Sequence, residues 1–337
     1  MYFWVVKPVI LLLLLNFFKT PCAYAQVVPT PFQEHAANAL VPEYNVSTQQ
    51  PETDSTPTNK RKVVLIASIH AGAYVSTLAI LGAAWYKGYA KTPFHVFNDS
   101  KEWLQMDKAG HAWTAYTIAN YSSHLWQWAG WNQHKAAVVG GISALGYQTI
   151  LEYLDAHSAK WGWSWADMGA NTFGAALFTT QELLWNEQKV SIRFSSFPQH
   201  YEAALQPRVD DLFGTTFPER LLKDYNAQTY WASFNLKSIF TTAPFPKWLN
   251  LAVGYGANGM YGGFKNMAVD KDGNVVFDRS DIKRVRVWYL SPDIDWTKFN
   301  SNKKLVRTLF SLLNMIKVPA PALQLSSGKV KAQWVSF

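Results

Sequence analysis

The spacing of apolar residues divides the chain into two regions. Between residues 60 and 187 apolar residues recur with helical spacing, and from residue 188 they alternate with polar residues in short runs typical of strands. The pattern predicts an α+β protein, with an N-terminal bundle of three or four helices followed by a β-rich C-terminal region that contains one amphipathic helix. We expect a helical domain over 60–187 and a β-rich domain over 188–337.

The first helical stretch, residues 63–86, is apolar over nearly its whole length and is long enough to span a bilayer. His70 and several small polar residues interrupt it, and the basic triplet at 60–62 would lie on the exported side, against the positive-inside tendency. A spanning helix and a buried or membrane-surface helix therefore both stay open. The other predicted helices run from a cap at Asp99 or Ser100 to about residue 128, from 135 to 157, and from 164 to 185.

The C-terminal alternation predicts a series of strands. They cover residues 230–236, 249–255, 284–289 and 329–334, with a turn at 270–274. Leucine and isoleucine residues on one face of 301–317 predict the amphipathic helix, which Pro319 ends. The sequence ends on an aromatic residue, Phe337, as outer-membrane barrel proteins of bacteria do, so a membrane barrel stays open as an alternative for this region.

The N-terminal segment has the features of an export signal. Residues 1–25 combine an early basic residue, an apolar core and a small-residue triplet before Gln26, and they predict a cleaved secretory signal peptide. Residues 26–59, rich in proline, threonine, glutamine and serine, predict a disordered linker. The one cysteine, Cys22, lies inside the signal, so the exported chain would hold neither a disulfide nor a thiol nucleophile. Lipidation of Cys22 is the alternative, although Lys19-Thr20-Pro21 departs from the small apolar approach of lipoproteins.

The net charge of the chain indicates which class of partner it binds. The formal net charge is +8, from 31 basic and 23 acidic residues, and a basic surface attracts nucleic acid or anionic lipid. An exported chain seldom meets nucleic acid, and the basic residues here are scattered along the sequence. We therefore expect bacterial membrane or envelope components as partners and no nucleic acid, and the oligomeric state stays open.

Polar residues cluster on the predicted helices where apolar residues are expected. Acids and a histidine are costly inside a helical bundle unless they are paired, hydrogen-bonded or bound to a metal. We therefore predict that they meet at one interior site. Each helix contributes one pair at helical spacing: Asp107 and His111, Glu152 and Asp155, and Asp167 and Asn171.

Three roles are open for this cluster. The first is a structural network that fixes the packing of the bundle, formed by Asp107, His111, Glu152, Asp155, Asp167 and Asn171. The second is a divalent metal site, with Asp107, His111, Glu152, Asp155 and Asp167 as candidate ligands. The third is an acid–base site, with His111, Glu152 and Asp167 as catalytic candidates. The sequence shows no nucleophile elbow and no phosphate-binding loop that would point to another chemistry.

The three motifs also carry a family resemblance. Asp107-Lys-Ala-Gly-His111, Glu152-Tyr-Leu-Asp155 and Gly162-Trp-Ser-Trp-Ala-Asp167 together resemble the YfiM-like family of predicted periplasmic lipoproteins, a domain of unknown function, over about residues 94–180. Residues 94–106 look like the longer form found in Bacteroidetes-type envelope proteins, and VanZ-like membrane proteins share a looser similarity. The resemblance implies that four acids and one histidine are the family's shared polar positions, and it implies no activity. They are Asp107, His111, Glu152, Asp155 and Asp167.

We therefore predict an exported cell-envelope protein of unassigned biochemical activity, in the periplasm or at the outer membrane of a Gram-negative bacterium, with a buried Asp/His/Glu cluster in its helical bundle. One alternative is a metal-dependent or acid–base hydrolase that acts on a lipid or cell-wall substrate. The other is a VanZ-like polytopic membrane protein, in which residues 63–86 and the later helices would face lipid.

Overall fold

The computed structural model describes residues 58–81 and 90–336. The predicted signal peptide, nearly all of the predicted linker and the end of the 63–86 stretch lie outside the described residues. The described residues belong to one compact unit, in which helices are followed by antiparallel sheets, and this confirms the α+β class. The domain boundaries drawn from the sequence stay predictions.

Among the described residues, the N-terminal region contains four long helices: α1 (Lys60–Leu81), α2 (Met106–Trp128), α3 (Gln133–Asp155) and α4 (Trp165–Trp185). The helices predicted at 135–157 and 164–185 correspond to α3 and α4. α2 packs along both α3 and α4, which also pack against each other, whereas α1 contacts α2 over a smaller area. The bundle that positions the polar residues is therefore α2, α3 and α4.

α1 is long and apolar enough, by length and composition, to cross a membrane. Only 6% of its Lys60–Ile80 stretch is buried, and Val64 and Val75 are 66% and 68% exposed. Of the open alternatives, a buried helix therefore does not fit α1. A spanning helix and a membrane-surface helix both stay predictions.

The approach to α2 differs from the expected simple cap. A short 3₁₀ turn precedes the helix, and residues 103–105 all have positive φ, between 47° and 66°. α2 begins at Met106, so the cap predicted at 99–100 is wrong. Tertiary contact explains the difference, because the Trp103 N–H donates to Gly263 O (2.7 Å) in the C-terminal region and the chain turns to make this bond.

Side-chain caps start the next two helices. Asn132 Oδ1 accepts a hydrogen bond from the Lys135 N–H (2.8 Å) at the start of α3, and Ser164 Oγ accepts one from the Asp167 N–H (3.0 Å) at the start of α4. Asp167 consequently lies in the first turn of α4, where the helix dipole favours a carboxylate. The cap thus fixes the position of one member of the polar cluster.

Glycine allows the helices of the bundle to approach closely. A Cβ at Gly174 of α4 would lie 2.1 Å from Ala112 O of α2, and a Cβ at Gly140 of α3 would lie 2.4 Å from Ala119 O of α2. Gly169 of α4 differs, since a Cβ there would meet nothing within 4 Å. Helix backbones are therefore in direct contact at Gly174 and Gly140.

Gly174→Ala is expected to lower the free energy of unfolding by about 1–3 kcal/mol, because the added methyl group overpacks the contact between α2 and α4. Gly169→Ala is the matched control in the same helix, and it is expected to be neutral or stabilising by up to about 1 kcal/mol. Urea denaturation followed by far-UV circular dichroism measures both. Equal effects of the two substitutions would contradict the close approach.

The C-terminal region consists of strands with short helices between them. The strands are β1 (Val190–Ser196), β2 (Gln228–Asn235), β3 (Leu249–Asn258), β4 (Met267–Val269), β5 (Val275–Asp278), β6 (Val285–Ile294), β7 (Ala320–Ser326) and β8 (Lys329–Ser336). The helices are α5 (Gln206–Phe213), α6 (Phe217–Lys223), α7 (Leu236–Ile239) and α8 (Lys304–Leu313). The main sheet has the order β1-β2-β3-β6-β7-β8, with all pairs antiparallel, and β4 and β5 form a hairpin around the predicted turn. α8 is the predicted amphipathic helix.

The main sheet closes on itself beside β1. The Phe194 N–H donates to Met315 O (3.1 Å), and the Lys317 N–H donates to Phe194 O (2.9 Å). Residues 315–317 lead directly into β7, so this pairing joins the free side of β1 to the segment before β7. One face of the sheet is enclosed as a result.

The enclosed inner face carries buried charged and polar groups beside Trp231 and Val287, and the outer face is apolar. Arg193, Ser233 and Asp293 lie on the inner face and are at most 2% exposed. On the outer face, α2 covers β1 and β2, where the Trp113 ring lies 5.0 Å from the Phe194 ring. The helical bundle and the sheet therefore share an apolar contact on the outer face, whereas Arg193 and Asp293 form an ion pair on the inner face.

Candidate functional site

Lys108 places its ammonium group among three carboxylates. Its Nζ atom lies 2.6 Å from Asp99 Oδ2, 3.0 Å from Asp107 Oδ2 and 2.8 Å from Asp167 Oδ1. The three acids come from the segment before α2, from α2 and from the first turn of α4. The Lys108 side chain is only 12% exposed. Its charge therefore allows three acids to lie together and links three segments of the chain.

Two hydroxyl groups donate hydrogen bonds to two of these acids. Ser164 Oγ donates to Asp99 Oδ1 (2.5 Å), and Tyr225 OH donates to Asp107 Oδ1 (2.7 Å). Burial and the charge of Asp107 raise the pKa of Tyr225 well above its ordinary value, so its hydroxyl group stays protonated as a donor. Tyr225 precedes β2, and the C-terminal region therefore contributes to the site.

His111 faces carboxylates from α2, α3 and α4. Its Nε2 atom lies 3.8 Å from Asp107 Oδ1 and 3.7 Å from Asp167 Oδ1, and its Nδ1 atom lies 3.7 Å from Glu152 Oε1. Nδ1 also donates to Asn171 Oδ1 (3.1 Å). Burial lowers the pKa of the imidazole, but the charges of Asp107, Asp167 and Glu152 together outweigh it and raise the pKa.

Glu152 is almost completely buried, with 1% of its side chain exposed. Its Oε2 atom accepts a hydrogen bond from the Ser164 N–H (3.3 Å). Burial raises the pKa of Glu152 to about 7, and the charge of His111 partly offsets the effect. Asp155, at the C-terminal end of α3, raises this pKa further through its charge. Within the charged cluster, Glu152 is therefore an acid whose protonation changes near neutral pH.

The remaining acids divide into one protonated and two ionised groups. Burial and the charge of Asp107 raise the pKa of Asp167 to about 8. Burial also raises the pKa of Asp107 and Asp99. The charges of His111 and Lys108 outweigh burial at Asp107, and hydrogen bonds with Asp167, Lys108 and Ser164 outweigh it at Asp99, so both pKa values lie below the ordinary range. At neutral pH the cations Lys108 and His111 thus balance the charges of Asp99 and Asp107.

The raised pKa values predict that stability falls as the pH rises. The pKa values of Glu152, Asp167 and His111 are higher in the folded state than in the unfolded state. The stability that these groups contribute is therefore complete below the pKa of the unfolded state, and it is lost as the pH rises through the pKa of the folded state. We expect the free energy of unfolding to decrease by about 1.4 kcal/mol or more between about pH 5 and pH 8.5, since one pKa unit corresponds to that amount.

Urea denaturation at several pH values, in the presence of a chelator, measures this slope. Glu152→Gln is expected to reduce it, because the amide no longer titrates. A stability that is constant or rises over this range would contradict the assigned pKa directions.

The structure brings most of the predicted site residues together. Asp155, at the end of α3, affects the cluster through its charge on Glu152. Three members of the cluster were not predicted: Lys108, Asp99 and Tyr225. The position of Lys108 inside the first motif indicates that it belongs to the cluster, whereas Tyr225 lies far along the chain, where no motif marks it. The members that meet are Asp107, His111, Glu152, Asp167 and Asn171. Their role stays a prediction.

The geometry of the cluster also suits a cation. Asp107, His111 and Asp167 each offer one ligand atom, and these atoms lie within 4.8 Å of one another. The Lys108 ammonium lies within hydrogen-bond distance of the two carboxylates in this group. A metal ion would therefore have to displace it.

All residues of the site except Tyr225 fall within a segment that matches a family model. Residues 96–182 match a family model. It describes a Predicted periplasmic lipoprotein (DUF2279). The match confirms the resemblance to the YfiM-like lipoproteins, and no match supports the looser similarity to VanZ-like proteins. No curated protein and no solved structure matches the chain significantly.

The DUF2279 segment contains the charged cluster except for Tyr225. It begins before Asp99 and ends within α4, so the main sheet lies outside it. The description of DUF2279 supports an exported, periplasmic location, in agreement with the export signal predicted from the sequence, and it assigns no activity.

Proposed function

We propose that the protein is an exported component of the cell envelope, held at the outer membrane or its periplasmic face, in which the charged cluster fixes the packing of the helical bundle. The DUF2279 match and the features of residues 1–25 support the location. The observation that carries the structural role is the contact of the Lys108 ammonium with three carboxylates from three segments of the chain.

A cluster of this kind differs from a catalytic centre. Catalytic metal sites keep one position open for water or substrate. Here the position between Asp99, Asp107 and Asp167 is taken by the ammonium of Lys108, whose side chain is 12% exposed. A buried charged group with its partners in place specifies one arrangement of the elements that carry them.

The test of the structural role is Asp99→Asn, because Asp99 contacts Lys108 and is not among the candidate metal ligands. We expect the free energy of unfolding to fall by about 1–3 kcal/mol, since a buried ion pair loses one charge. Asp211→Asn, at an acid whose side chain is 69% exposed, is the control and is expected to change little. An Asp99→Asn variant as stable as the control would remove the structural role.

The location requires its own experiment. Cells expressing the full chain are separated into periplasmic, inner-membrane and outer-membrane fractions, and the membranes are extracted with carbonate. We expect the protein in the outer-membrane fraction or released from it. Retention in the cytoplasm or in the inner membrane would contradict the proposed location.

A divalent metal site is the second candidate, because three buried polar atoms near His111 lack hydrogen-bond partners among the described residues. They are Glu152 Oε1, Gln148 Oε1 and Asn171 Nδ2. A bound cation with its water would satisfy the oxygens, and a hydrolase that acts on a lipid or cell-wall substrate would require this form of the site. Metal analysis of the purified wild type, of His111→Ala and of Glu152→Ala tests it. Metal in the wild type alone supports the candidate, and no metal in any sample removes it.

A further inference from the structure

The outer face of the main sheet extends beyond the helices as a continuous apolar surface. Two rows of directly paired residues run across β3, β6, β7 and β8, and almost all of these residues are apolar. One row is Val253, Leu290, Leu323 and Ala332, and the other is Tyr255, Trp288, Leu325 and Val330. Leu290, Leu323 and Val330 are 41%, 51% and 66% exposed. We call these two rows the outer apolar surface.

The two faces of the sheet are reversed relative to a sheet that faces water. A water-facing antiparallel sheet places polar residues outward and apolar residues toward the core. Here the inner face holds the ion pair between Arg193 and Asp293, whose side chains are 0% exposed. Apolar-outward and polar-inward alternation is the pattern of strands that face lipid.

The position of the helices is consistent with this reversal. Where α2 packs on the outer face, Met106 and Tyr230 are buried in one apolar cluster. No described residue covers the outer apolar surface in the same way, and Trp334 of β8 is 90% exposed. Surfaces of this kind mark a contact with another apolar phase.

α8 adds a second apolar surface with a basic side. Leu305, Leu309 and Leu313 repeat at helical spacing and are 53%, 42% and 43% exposed. Arg307 is exposed on the opposite side of the helix, and Lys303, the residue before its first turn, is also exposed. The helix is fixed to the body of the protein, because Tyr121 OH donates to Ser311 O (2.8 Å). An amphipathic helix with basic residues on its polar face is typical of helices that lie in the head-group region of anionic membranes.

We infer that the outer apolar surface and the leucine stripe of α8 bind an anionic phospholipid bilayer. Lipid chains take the place that α2 occupies on β1 and β2, and Lys303 and Arg307 contact lipid phosphates. The inference names the membrane-binding surface of a protein exported to the envelope, and it rests on that part of the proposed function. It doesn't depend on the role of the charged cluster.

Fluorophores attached to the outer apolar surface test the inference locally, so that membrane binding by α1 does not affect the result. The full chain carrying Cys22→Ser receives one new cysteine, either Leu290→Cys or Leu325→Cys, and the cysteine is labelled with an environment-sensitive fluorophore. Vesicles of phosphatidylethanolamine and phosphatidylglycerol are added, and the fluorescence is quenched either by nitroxide-labelled lipid or by aqueous iodide. Lys271→Cys, in the exposed turn between β4 and β5, is the matched control.

We expect nitroxide lipid to quench the reporters at Leu290 and Leu325 and iodide to leave them largely unquenched, with the reverse result at Lys271. Quenching of the Leu290 and Leu325 reporters by iodide alone would overturn the inference. Shielding from both quenchers would also overturn it, because a protein, such as a second copy of the chain, would then cover the surface.

The charge of the lipid is tested separately. Replacing phosphatidylglycerol with phosphatidylcholine, or Arg307 with Glu, is expected to weaken vesicle binding by about fivefold or more, since each basic residue near an anionic surface contributes on that order. Equal binding to both kinds of vesicle, with lipid quenching retained, would overturn the anionic part of the inference. A failure of these tests leaves the Asp99→Asn result unaffected, so the two proposals fail independently.

Discussion

Asp293→Asn is expected to lower the free energy of unfolding by about 3–5 kcal/mol, because the substitution removes the charge that neutralises Arg193 inside the sheet. Asp293 Oδ2 lies 2.9 Å from Arg193 Nη1 and accepts a hydrogen bond from Ser233 Oγ (2.6 Å). Asp293 Oδ1 also lies 4.0 Å from Nζ of the buried Lys317. Without the carboxylate, two cations would share an enclosed space.

Urea denaturation followed by tryptophan fluorescence measures this loss. Asp281→Asn is the matched control, since Asp281 pairs with Arg279 at the surface and its side chain is 65% exposed. We expect little or no change there, because exposed ion pairs contribute little. If Asp293→Asn proved as stable as Asp281→Asn, the inner face of the sheet would have to be open to water.

Lys108→Met is expected to lower the free energy of unfolding by about 3 kcal/mol at neutral pH, because it removes the cation that contacts Asp99, Asp107 and Asp167. The loss is expected to become smaller at acidic pH, where protonation of the acids removes their repulsion. Urea denaturation at neutral and at acidic pH measures both effects.

Two further variants separate the charge of Lys108 from its volume. Lys108→Arg retains the charge and is expected to be more stable than Lys108→Met, whereas Lys101→Met removes an exposed lysine from the same region and is expected to change little. A Lys108→Met variant that matched Lys101→Met at every pH would show that the three acids do not need the ammonium.

The helical bundle could be predicted from the sequence because its signals are local. Apolar spacing located α3 and α4, and the three motifs located the helix faces that meet at His111. The approach to α2 could not be predicted, because the hydrogen bond from Trp103 to Gly263 joins residues far apart in the chain. Asp99 was misassigned for the same reason, since an acid before a helix resembles a cap until its partners Lys108 and Ser164 are known.

The strands show a different limit. Period-two alternation predicted which residues of β3 and β6 share a face, but the period does not say which face is enclosed. The pairing of Phe194 with residues 315–317 decides it, and this contact links segments separated by most of the C-terminal region. Tyr225 could not be predicted for the same reason, because nothing near it in the sequence marks it as a partner of Asp107.

The bond from Tyr225 to Asp107 has a consequence for folding. A fragment that stopped after α4 would leave the Asp107 carboxylate without its phenolic donor and would expose Trp113, whose ring packs on Phe194 and Tyr230. We therefore expect the bundle and the sheet to unfold together, in one cooperative transition.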